Sequence, residues 1–208
     1  MKRILGFAAA LVLGAAAPSL ALLGPETSVG IRMGSGSFES ATVFGESTDI
    51  ESPVVLGLTA GMRKDNIGWE ISVEKITVDL ETDIKEAELT MIPILLTLQI
   101  HPTEGAPQFD PYLGGGIGYY FNSAKPSSEA KALSGVPNYK VEVDDSIGFH
   151  LVVGGNLKVT SAVAFAIDAR YALTSTDLTL KGGSPVFSDT ININGLIVTA
   201  GLKYFFPK

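Results

Sequence analysis

The chain reads as all-β, an eight-stranded antiparallel transmembrane β-barrel of the outer-membrane type. Three observations predict it. The first is the stretch Phe109 to Phe121, FDPYLGGGIGYYF. Alternate positions set Leu113, Gly115, Ile117, Tyr119 and Phe121 on one face and Tyr112, Gly114, Gly116, Gly118 and Tyr120 on the other. A period of two marks a strand with two environments. A soluble sheet would carry Lys, Glu or Thr on its wet face. Glycine closed at each end by tyrosine suits the inside of a narrow barrel instead, and the apolar face then looks into lipid. The second observation is that seven more segments share this patterning. The third is that the connections between segments alternate short and long, as in barrels with tight periplasmic turns and longer outer loops.

Composition agrees. Of 208 residues, 23 are glycine, 46% are hydrophobic and 18% charged, with a net charge of −7. Glycine without a collagen period fits turn-rich β architecture. An acidic chain lacks the clustered Lys/Arg that nucleic acid requires, so no nucleic-acid partner is expected. Cysteine is absent, which removes disulfide, thiolate-zinc, iron–sulfur and cysteine-nucleophile readings, and also a lipidated cysteine anchor. Residues 1–21 read as a cleaved secretory leader: Lys2 and Arg3, an apolar run from Ile4 to Ala17, then Ser19-Leu20-Ala21 as a small-x-small site. Residues 22–208 form a single barrel domain. After the leader no apolar run approaches the roughly 18 residues of a spanning helix. A membrane-spanning chain must then close its strands into a barrel to satisfy every backbone group.

The first segment, Ser28 to Phe38, sets Val29, Ile31 and Met33 against Gly30, Arg32 and Gly34. The second, Pro53 to Arg63, sets Leu56, Leu58, Ala60 and Met62 against Val55, Gly57, Thr59, Gly61 and Arg63. The third, Gly68 to Asp79, opposes Trp69, Ile71 and Val73 to Glu70, Ser72 and Glu74. Its phase changes near Lys75, which predicts a β-bulge. The fourth, Leu89 to His101, has the apolar face Ile92, Ile94, Leu96, Leu98, Ile100 backed by Met91, Pro93, Leu95, Thr97 and Gln99. The fifth is the glycine stretch. The sixth, Ser146 to Val159, turns Ile147, Phe149, Leu151 and Val153 outward and Gly148, His150, Val152, Gly154 and Asn156 inward. The seventh, Ala162 to Ser175, opposes Phe165, Ile167, Ala169 and Tyr171 to Ala166, Asp168, Arg170 and Ala172. The eighth, Ile193 to Phe206, opposes Leu196, Val198, Ala200, Leu202 and Tyr204 to Ile197, Thr199, Gly201 and Lys203.

Lys64–Asn66, Pro102–Gln108 and Thr160–Ser161 are the short connections. Glu39–Ser52, Leu80–Glu88, Asn122–Asp145 and Thr176–Asn192 are the long, mostly polar ones, with a short helix expected near Ser128–Leu133. Most strand charges share a face with glycine, and only Lys75 and Lys158 are expected to break that rule. Register is strongly specified: slipping the seventh strand by one residue would turn Asp168 and Arg170 into lipid, and an arginine near the midplane costs roughly 2–4 kcal/mol.

Two inward sets are candidates for function. Arg32, Arg63, Glu70, Glu74, His150, Asp168 and Arg170, with Lys203, form a polar network that either neutralises itself as packing or gates the lumen. Val55, Met91, Pro93, Leu95, Val152 and Ile197 form an apolar set toward the long-loop rim. An apolar funnel over a polar floor favours an apolar solute, with Pro93 either opening a sideways exit, because it lacks an N–H for the ladder, or merely bending its strand. His101 and His150, with no acidic cluster apparent beside them, read as hydrogen-bonded interior residues rather than metal ligands or bases. Ser146 and Ser175 lack a visible tie to His150, so no catalytic residues, no cofactor, no metal and no enzymatic activity are expected. The Asn122–Asp145 loop reads as a solvated surface, with a receptor or adhesion surface as its alternative role.

The chain resembles the OmpW family of outer-membrane proteins along nearly all of its mature length. The resemblance rests on Leu56-Gly57-Leu58-Thr59 with Asp65-Asn66-Ile67-Gly68, on Ile92-Pro93, and on Pro111 to Tyr119. It continues in Asp145-Ser146-Ile147-Gly148, in Ala166 to Tyr171, and in the end Gly201-Leu202-Lys203-Tyr204-Phe205-Phe206. It implies an eight-stranded barrel in the bacterial outer membrane, with outer-membrane lipid around it. It also implies passage of small hydrophobic molecules with lateral release, and terminal aromatics read by the barrel-insertion machinery. The chain departs from the family pattern in ending Pro207-Lys208, in Asn192-Ile193-Asn194-Gly195, and in the acidic run after Val73. The expected function is thus a narrow conduit for a small apolar solute. The alternative is a structural or surface-interaction barrel with a closed lumen.

Overall fold

Period-two alternation carries through a closed wall in the computed structural model, which describes residues 26–39, 41–43, 46–50, 52–82, 85–102, 108–126, 140–181 and 187–207. The leader read in residues 1–21 and the helix expected near 128–133 lie outside the described residues. In chain order the strands are β1 (Glu26–Phe38), β2 (Ala41–Val43), β3 (Glu46–Ile50), β4 (Val54–Lys64), β5 (Ile67–Thr82), β6 (Lys85–Ile100), β7 (Phe109–Pro126), β8 (Lys140–Val143), β9 (Ser146–Lys158), β10 (Val163–Lys181), β11 (Phe187–Asn192) and β12 (Gly195–Phe205).

Eight of them make the wall. β1, β4, β5, β6, β7, β9, β10 and β12 pair antiparallel in that order, and β12 pairs back onto β1. Closure leaves the wall no edge, the condition for crossing hydrocarbon with strands. Following paired residues once round leads from Glu26 through Arg63, Gly68, Gln99, Gly114, Val152, Arg170 and Ile197 to Gly36, ten residues further along β1. A stagger of this size tilts the strands by about 35–45°. Because Gly36 lies nearer the outer rim than Glu26, rows of paired residues climb in the order β1, β4, β5.

The alternation is inside out relative to a soluble barrel. On β9, Phe149, Leu151 and Val153 are 62%, 66% and 62% exposed, while His150 and Val152 between them are 2% and 8%. Aromatics ring both ends of the apolar band, with Trp69, Phe165 and Tyr204 toward the short turns and Tyr119, Phe121 and Tyr171 toward the other rim. The Asp65–Asn66 turn is tight, with Asp65 at φ 55°, a left-handed conformation that Asp tolerates. Inward glycines make room for larger neighbours: a Cβ at Gly116 would lie 2.7 Å from His150 Cε1 and 2.8 Å from its Nε2.

Three expectations are corrected. No bulge interrupts β5: one register with β4 runs from Lys64–Ile67 to Val54–Thr77. The phase change at Lys75 arises because Ile76 and Val78 continue the inward face of Glu70, Ser72 and Glu74, and the lumen itself changes from polar to apolar there. Second, much of the long polar connections is strand. β5 and β6 stay paired to Thr82–Lys85, and β10 runs to Lys181, flanked above by β8 and β11. These extensions hold because their inward residues, Ile76, Val78, Leu89, Met91, Leu178 and Ile191, pack into one cluster. Third, Lys158 does not face lipid. Its Nζ reaches Glu26 Oε1 at 3.2 Å and lies 5.5 Å from the Phe205 ring centroid, at the short-turn mouth of the lumen.

Candidate functional site

The lumen is built in two storeys. The lower and middle part is an ion-pair floor contributed by β1, β5, β10 and β12. Glu74 on β5 accepts from two guanidinium groups: Arg170 Nη1 donates to Oε1 at 2.8 Å, and Arg32 Nη2 also donates to Oε1. Arg32 further donates to Glu70 Oε1 at 3.2 Å and Ser72 Oγ at 2.8 Å, and lies 3.6 Å from Asp168 Oδ2. Lys203 Nζ donates to Glu70 Oε2 at 2.6 Å and sits over the Tyr112 ring. Thr199 Oγ1 donates to Asp168 Oδ2 at 2.9 Å. Three cations thus face three carboxylates, with Glu74 at 0% exposure and Glu70, Asp168 and Arg170 at 3–5%. Charges so buried persist only when paired and hydrogen-bonded.

Arg63, assigned with this network from sequence, belongs to a separate cluster nearer the short turns. Its Nη1 meets Asp110 Oδ1 at 2.8 Å. His101 Nδ1 lies 3.0 and 3.1 Å from the two Asp110 oxygens, and Asn156 Nδ2 donates to Oδ2 at 3.3 Å. A cavity of about 30 Å³ lies among these groups, room for about one water. Asp110 was missed in the sequence. It shares parity with Tyr112 and would have been found by carrying the inward face two residues back. It also gives His101 an acidic neighbour that sequence spacing did not reveal. His150 is inward but apart from the charged floor, with Nε2 2.9 Å from Thr97 Oγ1.

Above the floor the lumen is mostly apolar, with a hydrogen-bonded polar patch of Asn122, Ser146, Thr174 and Thr176 on the side of β7, β9 and β10. Val55, Met91 and Ile197 are 0–1% exposed and pack with Phe38, Ile76, Val78, Leu89, Leu178, Ile191 and Ile193. Pro93 and Leu95 are fully buried on the inward face of β6, with Leu95 opposite Ser72 of the floor and outside the upper cluster. Val152 is inward too, but in the row Val152–Arg170–Ile197 it lies on the lower side of Arg170, level with the floor and outside the upper cluster that holds Ile197. Ser146 bonds Thr174 Oγ1 at 3.2 Å and lies within reach of Asn122, not of His150.

The wall has one interruption among its described ladders. β5–β6 pairing runs from Ile67–Ile100 to Val73–Ile94 and resumes at Ile76–Met91. In between, Glu74 and Lys75 face Pro93 and Ile92 without a bridge, whereas Pro93 still pairs with Tyr120 on its other side. Proline's missing N–H accounts for the gap. The seam sits where the apolar storey meets the floor, and Glu74, which holds both arginines, is one of its residues. Its outer side is covered: Val73 is 6% and Ile92 2% exposed, packed with Ala60, Ile71, Ile94 and Phe121.

An edgeless wall, an outward apolar band between aromatic rims and a polar inner face define an outer-membrane β-barrel, a protein of the bacterial outer membrane. The family model for the OmpW family matches residues 27–206, and the chain belongs to that family. Solved structures similar to it include the outer-membrane protein OprG from Pseudomonas aeruginosa, with a TM-score of 0.71 and 20% identity over 89% of this chain and 97% of that one. AlkL, solved in lipid bilayers, is similar at a TM-score of 0.57 and 16% identity over 89% and 92% of the two chains. The outer-membrane protein W of E. coli is similar at 0.50 and 20% over 86% and 97%. At such identities these likenesses bear on the fold alone. No curated protein sequence matches the chain.

Proposed function

We propose that this barrel is a conduit for small apolar molecules, which enter the upper lumen from the outer face and leave sideways between β5 and β6. The observation that carries it is the stacking of an apolar storey on a buried ion-pair floor, with the sole described break in the wall at their junction. A solute moving straight down would have to displace Arg32, Glu74 and Arg170 from one another. A solute moving sideways meets a seam that already lacks backbone bonds and is held by side-chain packing. Family membership supports the same reading. In the conformation described the seam is shut, so passage requires Ile92 and Val73 to move. The reading includes no enzymatic step. The aromatic end, with Tyr204 and Phe206 edge-on at 5.4 Å, fits the signal read by the insertion machinery.

The test is uptake of a labelled apolar small molecule by cells with and without the protein, at matched outer-membrane integrity. Faster, saturable uptake that is lost on Leu95→Arg supports the conduit; equal uptake across several apolar probes rejects it. The surface-interaction alternative draws on β2, β3, β8 and β11, which carry the wall past the apolar band. It predicts that cutting the 122–145 connection, not plugging the lumen, abolishes function.

A further inference from the structure

Between the two aromatic rims, Lys75 breaks the rule that the described wall charges face the lumen. Among the described residues facing lipid between the two aromatic rims it is the only charged one, and it has no acid partner, whereas Arg32, Arg63, Lys158, Arg170 and Lys203 each have one. A lone ammonium on this face is costly at mid-membrane and tolerable only near the interface, where its stem can snorkel.

Beside it lies a groove of about 500 Å³ on the outer face of the wall, crossing β12, β1, β4 and β5. It runs between two rows of paired residues. One row is Ala200, Met33, Leu56 and Lys75; the other is Leu202, Ile31, Leu58 and Val73. Small Ala200 and the backbone at Gly57 and Gly201 lower its floor. Three inter-strand steps of about 4.8 Å give it a length of roughly 14 Å. Because paired rows climb from β12 through β1 and β4 to β5, the groove starts deep in the apolar band at Ala200 and rises to Lys75 on the outer-leaflet side. Its shape is that of one acyl chain, and its upper end carries one unneutralised positive charge.

We propose that this groove is a binding site for a single net-anionic lipid of the outer leaflet, one of its acyl chains laid between the two rows and its phosphate paired with Lys75. Charge complementarity selects the occupant. A zwitterionic lipid would fill the groove with a phosphate already balanced by its own cation, whereas a net-anionic head neutralises the ammonium at the groove's upper end. The site is outside the wall and is independent of whether solutes pass through the lumen.

Native mass spectrometry of the refolded full chain tests it, with lipid A and, separately, phosphatidylcholine added to the detergent. The expected result is one retained lipid A per barrel under conditions that strip phosphatidylcholine. Lys75→Gln should weaken retention about fivefold, Ala200→Trp should abolish it by filling the groove, and Lys75→Arg should restore it. Lys158→Gln, at the lumen mouth, should leave it unchanged. Heat-modifiable gel migration confirms that each variant is folded. Equal retention of the two lipids, wild-type retention in both Lys75→Gln and Ala200→Trp, or displacement of lipid A by an equimolar single-chain fatty acid would overturn the assignment.

Discussion

Above Glu74 the lumen is closed by Phe38, Val55, Ile76, Met91 and Ile197; below it, by Arg32, Glu70, Asp168, Arg170 and Lys203. Both storeys exclude solvent to a similar degree, but they respond differently to change. Apolar packing is non-directional and roughly proportional to area, so a side chain can be trimmed or displaced and its neighbours partly relax. The floor is directional: each charge is held by one to three opposite charges at fixed geometry, and removing a shared one costs its buried partners a counter-charge. A lumen built this way has a yielding top and a rigid bottom, which is the mechanical arrangement that a sideways exit needs.

The sharpest break in that contrast is Glu74→Ala. It leaves Arg170 buried without its carboxylate while Arg32 keeps Glu70 and Asp168, and the expected loss is about 3–5 kcal/mol, measured as a lowered urea midpoint for the barrel in liposomes. If the loss were within a fraction of a kcal/mol, the floor would not be the rigid element described. Next is Met91→Ala in the upper storey, expected to cost about 2–5 kcal/mol if the cavity stays open and toward the lower end if Leu89 and Ile76 close over it. Ile197→Val removes one methylene from the same cluster and should cost about 0.5–1.5 kcal/mol. A result above the Glu74→Ala loss would reverse the order of the two storeys. The smallest effect belongs to Lys158→Ala: its pair with Glu26 is about one-quarter exposed on each side, and the unfolding midpoint should shift by the equivalent of about 0–1 kcal/mol. On the functional side, Pro93→Ala restores a ladder donor at the seam. It should slow apolar uptake at unchanged protein level, and unchanged uptake would move the exit elsewhere.

Much of the barrel was legible in the chain because a β-strand reports its environment every second residue. Tyr112-x-Gly114-x-Gly116-x-Gly118-x-Tyr120 reads as a lumen face with no three-dimensional information, and Asp168 and Arg170 read as inward because lipid would reject them. The reading failed where the environment, not the strand, changed. Ile76 and Val78 read as the start of a new phase because apolar residues in a barrel wall ordinarily face lipid, yet past the floor these two face an apolar cluster inside the lumen. For the same reason Leu80–Glu88 looked like a loop while most of it is paired strand. Lys158 looked lipid-facing because the ends of strands carry too few alternations to fix parity.

By itself the sequence determined the number of wall strands, which side of each faces lipid, and the proline that cannot complete its ladder, since each of these is a local property of spacing or of one residue's chemistry. Only the tertiary structure decided which charges meet. Arg32 on β1, Glu74 on β5 and Arg170 on β10 are brought together across the lumen by a stagger of ten residues round eight strands. That stagger is the sum of eight pairwise registers, and no single strand carries it. The same sum sets the slope of the outer groove and brings Lys75 to its upper end, because height in a tilted barrel depends on position round the wall as much as on position along the chain.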